Sequence, residues 1–324
     1  MSSLIVETPL TGWEVVDLSS IHPREMEHFW TKEVQIWRER LHWDVSGAVS
    51  ALARAMERGG LQGKAVRIGT FTAAYAYYLI EDKRGVISGL VVSNELAEFD
   101  AREVGKLILG AVMHELRRRG VRRIESQVIS FDAPWLVDCF EGEGCLTRWR
   151  EFMRISVSRS PSVGETLNSV NILPWKSWNL SEAAHVMQVA HEGGIDARMN
   201  ELYRTRQGCR VLLNNILRQR GCGTALMDAS GIARDRRTDR LVGFTVVTEV
   251  AKRQGHLAQI AVLPELQGTG VGRALLDYSI AKMASSGYET LTLMVSLGND
   301  RAQKLYEALG FTPIFRFPVF SWER

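Results

Sequence analysis

Gln267-Gly268-Thr269-Gly270-Val271-Gly272 is the stretch whose reading decides the fold. It follows the apolar run Leu257 to Val262. It precedes a segment in which Leu276, Ile280 and Met283 recur at i, i+4 and i+7, one face of a helix. A strand, a glycine turn and a helix start together make an anion site. The first N–H groups of a helix lack intrahelical partners, and the helix dipole favours negative charge there. Glycine removes the Cβ that would hold a phosphate off the backbone. The turn therefore predicts a pyrophosphate-containing ligand.

Three phosphate motifs compete for this turn. Walker A needs GxxxxGK[ST], which the chain does not contain. The dinucleotide fingerprint GxGxxG fails because Arg273 occupies the third glycine position, and no strand-end acid is placed for a ribose. The pattern [QR]xxGx[GA] is met by Gln267, Gly270 and Gly272, after Ile260-Ala261-Val262-Leu263-Pro264. Downstream, NxxAxxLYxxxGF is met at every fixed position by Asn299, Ala302, Leu305, Tyr306, Gly310 and Phe311. With these two motifs in order, the chain resembles the GNAT superfamily of N-acetyltransferases. The resemblance is strong from Ala225 to the C-terminus.

The resemblance implies an α/β (α+β) fold, a mixed, mostly antiparallel sheet flanked by helices. It also implies acetyl-CoA, or another short acyl-CoA, as co-substrate, with direct transfer to an amine in a ternary complex. The pyrophosphate is expected on the backbone of Gly268, Thr269, Gly270, Val271, Gly272 and Arg273. Ile260, Ala261 and Val262 are expected to splay from the neighbouring strand and pair with the pantetheine arm, as in strand addition. Gln267 belongs to the same motif. Asn299 is expected as a helix N-cap and as a cofactor contact.

An attacking amine must be neutral, yet an alkylammonium has a pKa near 10.4, so deprotonation at neutral pH costs about 4 kcal/mol. A base is useful, and a proton must reach the leaving thiolate. Tyr306 is the acid that the resemblance implies; its plainer reading is a core tyrosine. His256 is the candidate base. It lies four residues before Ile260, so strand alternation puts it on one face with Ala258, Ile260 and Val262, and histidine has a suitable ordinary pKa. Glu249, ending the preceding strand, is the weaker alternative. Met294 stands where members acting on ribosomal-protein N-termini carry glutamate, which counts against that subtype. Asp196, Glu201 and Arg204 are polar candidates for the acceptor side.

The element order of the second half repeats that of the first. Gly105 and Gly272 each precede a long helix, 167 positions apart, and Gly120 and Gly287 end it, again 167 apart. Phe140-Glu141-Gly142 lies against Tyr306-Glu307-Ala308 at an offset of 166. This predicts two tandem copies of one fold: residues 1–157, a linker at 158–165 around Ser158-Arg159-Ser160-Pro161-Ser162, and a catalytic copy at 166–324. A chain of 324 residues fits two domains of about 160 residues each. Phe140 replaces the motif tyrosine in the first copy. Leu96 to Glu103, with Glu98, Asp100 and Glu103, replaces its glycine turn, and negative charge there repels a pyrophosphate. The first copy is therefore expected to be non-catalytic.

A net charge of +3 gives no argument for nucleic acid. Cys139, Cys145, Cys209 and Cys222 form no CxxC pair, so no metal is expected. No leader pattern or membrane-length apolar run is present, which predicts a cytoplasmic protein without membrane contact. A small-molecule amine or a peptide is the expected acceptor partner. The oligomeric state stays open, with a monomer carrying a pseudo-dimeric domain pair as the simplest arrangement. The competing function is a non-catalytic acyl-CoA-binding or sensing protein; nicotinamide redox chemistry is disfavoured by Arg273.

Overall fold

The structure, a computed structural model, describes residues 12–129, 133–157, 167–176, 179–218 and 222–324. The expected linker at 158–165 lies outside them. In chain order come β1 (Trp13–Asp17), α1 (Glu27–Leu41), α2 (Ser46–Glu57), β2 (Gly63–Ile68), β3 (Phe71–Glu81), β4 (Arg84–Val92), α3 (Glu98–Arg118), β5 (Arg123–Ser126), α4 (Trp135–Gly142) and β6 (Leu146–Ser156). Then follow β7 (Val170–Pro174), α5 (Leu180–His191), α6 (Ile195–Met199), α7 (Arg206–Arg218), β8 (Thr224–Ala225), β9 (Gly231–Asp235) and β10 (Leu241–Ala251). The last elements are β11 (Gln254–Val262), α8 (Val271–Ser285), β12 (Thr290–Ser296), α9 (Asp300–Leu309) and β13 (Thr312–Glu323).

The chain forms two compact units, each with interleaved segments. The first holds the residues up to Gln35, Ser46–Thr147 and Pro318–Arg324; the second holds Ile36–Val45 and Arg148–Phe317. These limits differ from a simple cut near residue 157, because strands choose partners by edge and not by sequence distance. Arg150–Ser156 of β6 pair with β12 in the second unit, and Phe320–Glu323 of β13 pair with β5 in the first.

The first unit orders its sheet β1-β2-β3-β4-β5, with the end of β13 beyond β5. Apolar side chains cover both faces. Ile108, Val112, Met113 and Leu116 of α3 pack with Leu136, Phe140 and Phe320, while Met26, Phe29, Trp30 and Tyr75 fill a second cluster. The second unit orders its sheet β6-β12-β11-β10-β9-β7, with β8 beside β10. Val186, Met187, Leu213, Phe244 and Val246 form one core; Leu257, Leu276, Ile280, Leu293, Val295 and Tyr306 form the other. Neighbouring Val246 and Val247 enter different clusters, as side-chain alternation along a strand requires.

Both sheets carry the same irregularity. Ser88 is an extra residue in β4, between the pairs Tyr77↔Gly89 and Tyr78↔Ile87. Ala258 is an extra residue in β11, between Val246↔Gln259 and Val247↔Leu257. Among the described pairings, the parallel ones are β4 with β5 and β11 with β12. They end at Ile87↔Ser126 and Leu257↔Leu293, one residue before each bulge. Each unit is thus a mixed, mostly antiparallel sheet with helices, and the shared bulge marks them as copies of one fold.

Residues 225–233 do not form one continuous strand. The segment breaks into β8 and β9 because Ser230 turns it: its hydroxyl donates to Leu226 O at 2.8 Å and accepts from Val247 N–H at 2.9 Å. Gly231 follows, where a Cβ would come within 3.0 Å of Tyr278.

Candidate active site

The site begins where two strands part. After Leu257↔Leu293 the described pairing of β11 with β12 stops, although β11 stays bonded to β10 up to Val262 and β12 stays bonded to β6 up to Ser296. A bulge bends the strand that carries it, and Ala258 sits at the parting point. The Ile260-Ala261-Val262 edge is thereby left without a described pairing to β12.

Beyond Val262 the chain enters the glycine turn. Gly268 (φ 85°) and Gly270 (φ 94°) are left-handed, a conformation costly for residues with a Cβ. Gly270 immediately precedes α8, whose bond from Ala274 N–H to Gly270 O is 2.9 Å. By helix geometry the N–H groups of Val271, Gly272 and Arg273 stand ahead of that ladder. A Cβ on Gly272 would lie 3.4 Å from Leu305, so α8 and α9 approach closely there. This backbone suits an anionic group. Thr269 bonds Leu266 O at 2.8 Å and Arg273 lies 3.5 Å from Asp277. Gln267 acts as a brace: its amide donates to Val262 O at 3.0 Å and accepts from Arg301. Asn299 is the N-cap of α9, accepting from Ala302 N–H at 3.3 Å.

The segment from α5 to α7 bridges both arms of the fork. Tyr203 O–H donates to Gln259 on β11 at 3.1 Å. Asp196 accepts from Ser296 on β12 at 2.7 Å and from Arg150 on β6 at 2.8 Å. His191, the last residue of α5, stacks near Tyr203 with ring centroids 4.5 Å apart. Burial opposes the Asp196 charge, but Arg150, His191 and the Ser296 bond outweigh it and hold its pKa below the ordinary value. Tyr306 is buried, and its phenol is held well above its usual pKa, first by burial and then by the Asp196 charge and Tyr203. Asp196 was legible as a polar candidate. His191, Tyr203, Gln259, Ser296 and Arg150 were not, although a glutamine inside the apolar run 257–262 is a signal. Glu201 and Arg204 belong to the same short turn, and Arg204 holds Ala197 O at 2.9 Å.

His256 does not join this group. The bulge at Ala258 breaks the alternation that set it beside Ile260: Leu257 and Ile260 share one cluster, and Ala258 packs with the other. Its imidazole is 5% exposed, 3.0 Å from Thr292 Oγ1, and walled by Trp43 and Phe152 at 4.8 and 6.0 Å between ring centroids. Burial pushes its pKa down to about 3. Glu249 pairs with Gly255 at the far end of β11 from the turn, where burial first, and then the Glu249 charge, raises the Tyr288 pKa. The low His256 pKa has a consequence for stability. The unfolded chain binds a proton below pH of about 6.5 and the folded chain does not until about pH 3, so stability is full above the first value and falls toward the second. Denaturant melts from pH 7 to 5 should show a loss of about 1.4 kcal/mol per pH unit below 6.5 that His256→Asn abolishes. Equal slopes would mean the imidazole is open to solvent.

Among its described residues the first unit keeps the bulge and the parting strands but not the glycine turn or the tyrosine. Ala97 caps α3 without a side-chain bond. Trp135 of α4 lies against Gly105, where a Cβ would come within 2.2 Å of its ring. Phe140, at the Tyr306 position, stacks on Phe320 with centroids 3.8 Å apart. Among the described residues no group of three His, Cys, Asp or Glu side chains could hold a metal, and no helix is long and apolar enough to cross a membrane.

A bulged strand whose described pairing with its parallel neighbour stops, a glycine turn at a helix start and a buried tyrosine thus come together in the second unit. Residues 228–311 match the family described as the acetyltransferase (GNAT) family. An 86-residue stretch is 38% identical to the mycothiol acetyltransferase of Propionibacterium freudenreichii, over 26% of this chain and 27% of that protein. A 73-residue stretch is 41% identical to the ribosomal protein bS18-alanine N-acetyltransferase of Salmonella typhimurium, over 22% of this chain and 49% of that one. The matches thus span about a quarter and about a half of these relatives. A solved GCN5-related N-acetyltransferase from Sphaerobacter thermophilus is similar with a TM-score of 0.70 at 15% identity, covering 98% of this chain and 97% of that one. A tandem GNAT protein from the clavulanic acid biosynthesis pathway is similar with a TM-score of 0.60 at 13% identity, covering 96% and 98%. At such identities the likeness is one of fold: a tandem GNAT architecture.

Proposed function

We propose that the second unit transfers an acetyl group, or another short acyl group, from its coenzyme A thioester to a primary amine. The observation that carries this reading is the fork between β11 and β12, with the glycine turn beyond one arm and Asp196 bonded to the other. The open edge of Ile260-Ala261-Val262 is suited to pair with the pantetheine amides, and the N–H groups of Val271, Gly272 and Arg273 are suited to the pyrophosphate. Bound there, acetyl-CoA supplies a thioester carbonyl open to attack by an amine. Tyr306 keeps its proton across the physiological range because its phenol pKa is raised. It is thereby able to protonate a leaving thiolate. Gln267 and Asn299 are assigned to shaping the turn and the start of α9, which orients Tyr306.

The acceptor is taken as a small-molecule amine or a peptide amine. Met294, in place of the glutamate associated with ribosomal N-terminal acetylation, sets the small molecule first. The first unit is assigned no turnover, since Trp135 and Phe140 occupy the places of a cofactor cleft and of the acid. Thiol release should be followed with acetyl-CoA and spermidine, kanamycin or an alanine-headed hexapeptide, alongside calorimetric titration of the full chain. Amine-dependent thiol release and one acetyl-CoA per chain are expected. Binding without release for every amine would favour the sensing module, and two sites per chain would refute the degenerate first copy.

A further inference from the structure

We propose that His191 is the proton acceptor for the incoming amine, an inference that rests on the acetyltransfer reading above. His191 Nδ1 lies 2.8 Å from the backbone carbonyl of Met187. A carbonyl only accepts, so Nδ1 must carry the proton, and in the neutral ring Nε2 is left with its lone pair. The tautomer is thus set by the turn of α5 that ends on this residue.

The surroundings suit a ring that gains charge briefly. His191 stands at the C-terminus of a helix, where the dipole favours an imidazolium. The charged groups that act on it are Asp196 of α6, which favours the cation, and Arg150 of β6, which opposes it. Burial is the largest influence and pulls the pKa below the ordinary value, so the ring is neutral at pH 7 and ready to accept. Tyr203, whose ring lies tilted against the imidazole, reaches Gln259 on one arm of the fork, and Asp196 reaches Ser296 on the other. His191 thus sits beside Tyr203, which reaches one arm, and in the field of Asp196, which reaches the other, while His256 is enclosed between Trp43, Phe152 and Thr292.

The step balances as follows. R–NH3+ gives one proton to His191 Nε2, and the freed nitrogen pair forms a C–N bond at the thioester carbonyl carbon. The C–S bond breaks with its electron pair going to sulfur, which takes the Tyr306 hydroxyl proton. The nitrogen then loses a second proton, which restores the phenol. His191 returns its proton to solvent, so the products are amide, free thiol and one released proton.

His191→Asn tests this cleanly, because the asparagine amide can replace Nδ1–H toward Met187 while removing Nε2. With whichever of spermidine, kanamycin or the hexapeptide the wild type uses best, kcat is expected to fall about 10²–10⁴-fold with acetyl-CoA affinity unchanged. The rate should also lose its plateau above the His191 inflection and instead rise log-linearly with pH, since only amine deprotonated in solution can react. His191→Gln should behave alike, and a melt shows whether each variant is folded. Long-range 15N NMR of the full chain gives a readout free of turnover: Nδ1–H with bare Nε2 is expected. Wild-type rate and pH profile in folded His191→Asn, or an Nε2–H tautomer, overturn the assignment while leaving acetyltransfer standing. No thiol release from wild type with any amine removes both.

Discussion

Tyr306→Phe should lower amine-dependent thiol release by about 10²–10⁴-fold while acetyl-CoA still binds with wild-type affinity. At about 1.4 kcal/mol per tenfold, this is about 3–5 kcal/mol of transition-state stabilisation carried by one hydroxyl. Phenylalanine keeps the ring that packs with Leu293, Val295 and Phe311, so the fold should be retained. What disappears is a proton held in place by burial and by the neighbouring Asp196 charge. The first unit already contains this substitution in nature's own form, with Phe140 at the equivalent place. Single-turnover measurements of thiol release, with binding measured separately by calorimetry, distinguish loss of chemistry from loss of the cleft. Undiminished release in the variant would remove Tyr306 from the reaction.

The second large effect is expected from Arg150→Met. Arg150 and Asp196 side chains are each 17% exposed and 2.8 Å apart. Removing one partner of such an enclosed pair leaves the other charge without its counterion, at a cost of about 3–5 kcal/mol. Asp196 has a lowered pKa, so the pair's contribution is present above the ordinary carboxylate value and is lost as pH falls through the folded value. Arg150→Met should accordingly be most damaging near neutral pH and least damaging in acid. Because the penalty is that of an orphaned charge, Arg150→Met with Asp196→Asn should recover much of the stability. Denaturant melts of the single and double variants at pH 7 and 4 measure this. A double variant that loses the sum of the two single losses would contradict it.

The glycine turn and the N-cap at Asn299 were legible in sequence because each is a local pattern, and the duplicated plan was legible through a repeated offset. Positive φ at Gly268 and Gly270 and the cap geometry at Asn299 depend on a few consecutive residues. His256 was misjudged for a local reason too: one bulge residue, Ala258, shifts the alternation on which its placement depended. The network around Asp196 was not legible because its parts arrive from distant places. Arg150 meets Asp196 and Ser296 across 46 and 146 positions, and Tyr203 meets Gln259 across 56. Those meetings follow from how α5 to α7 lie over the fork, and no periodicity within these segments encodes it.

The interleaving of the two units also sets a timetable. Phe320–Glu323 pair with Arg123–Ser126, so the first unit's sheet gains this strand only when residues 320–323 have been made. With Ser126 and Phe320 joined in the register, 194 residues of synthesis separate the partners. At 5–20 residues per second this amounts to about 10–40 s on the ribosome. Throughout that interval β5 has an unfilled edge, the kind of surface that invites a wrong strand. The charged residues Arg123 and Glu125, buried in the finished sheet and joined by an ion pair of 2.6 Å, lie along that waiting edge. Charge on an edge discourages foreign pairing, so the same two side chains that later bind Glu323 and Arg84 can guard the strand before its own partner emerges.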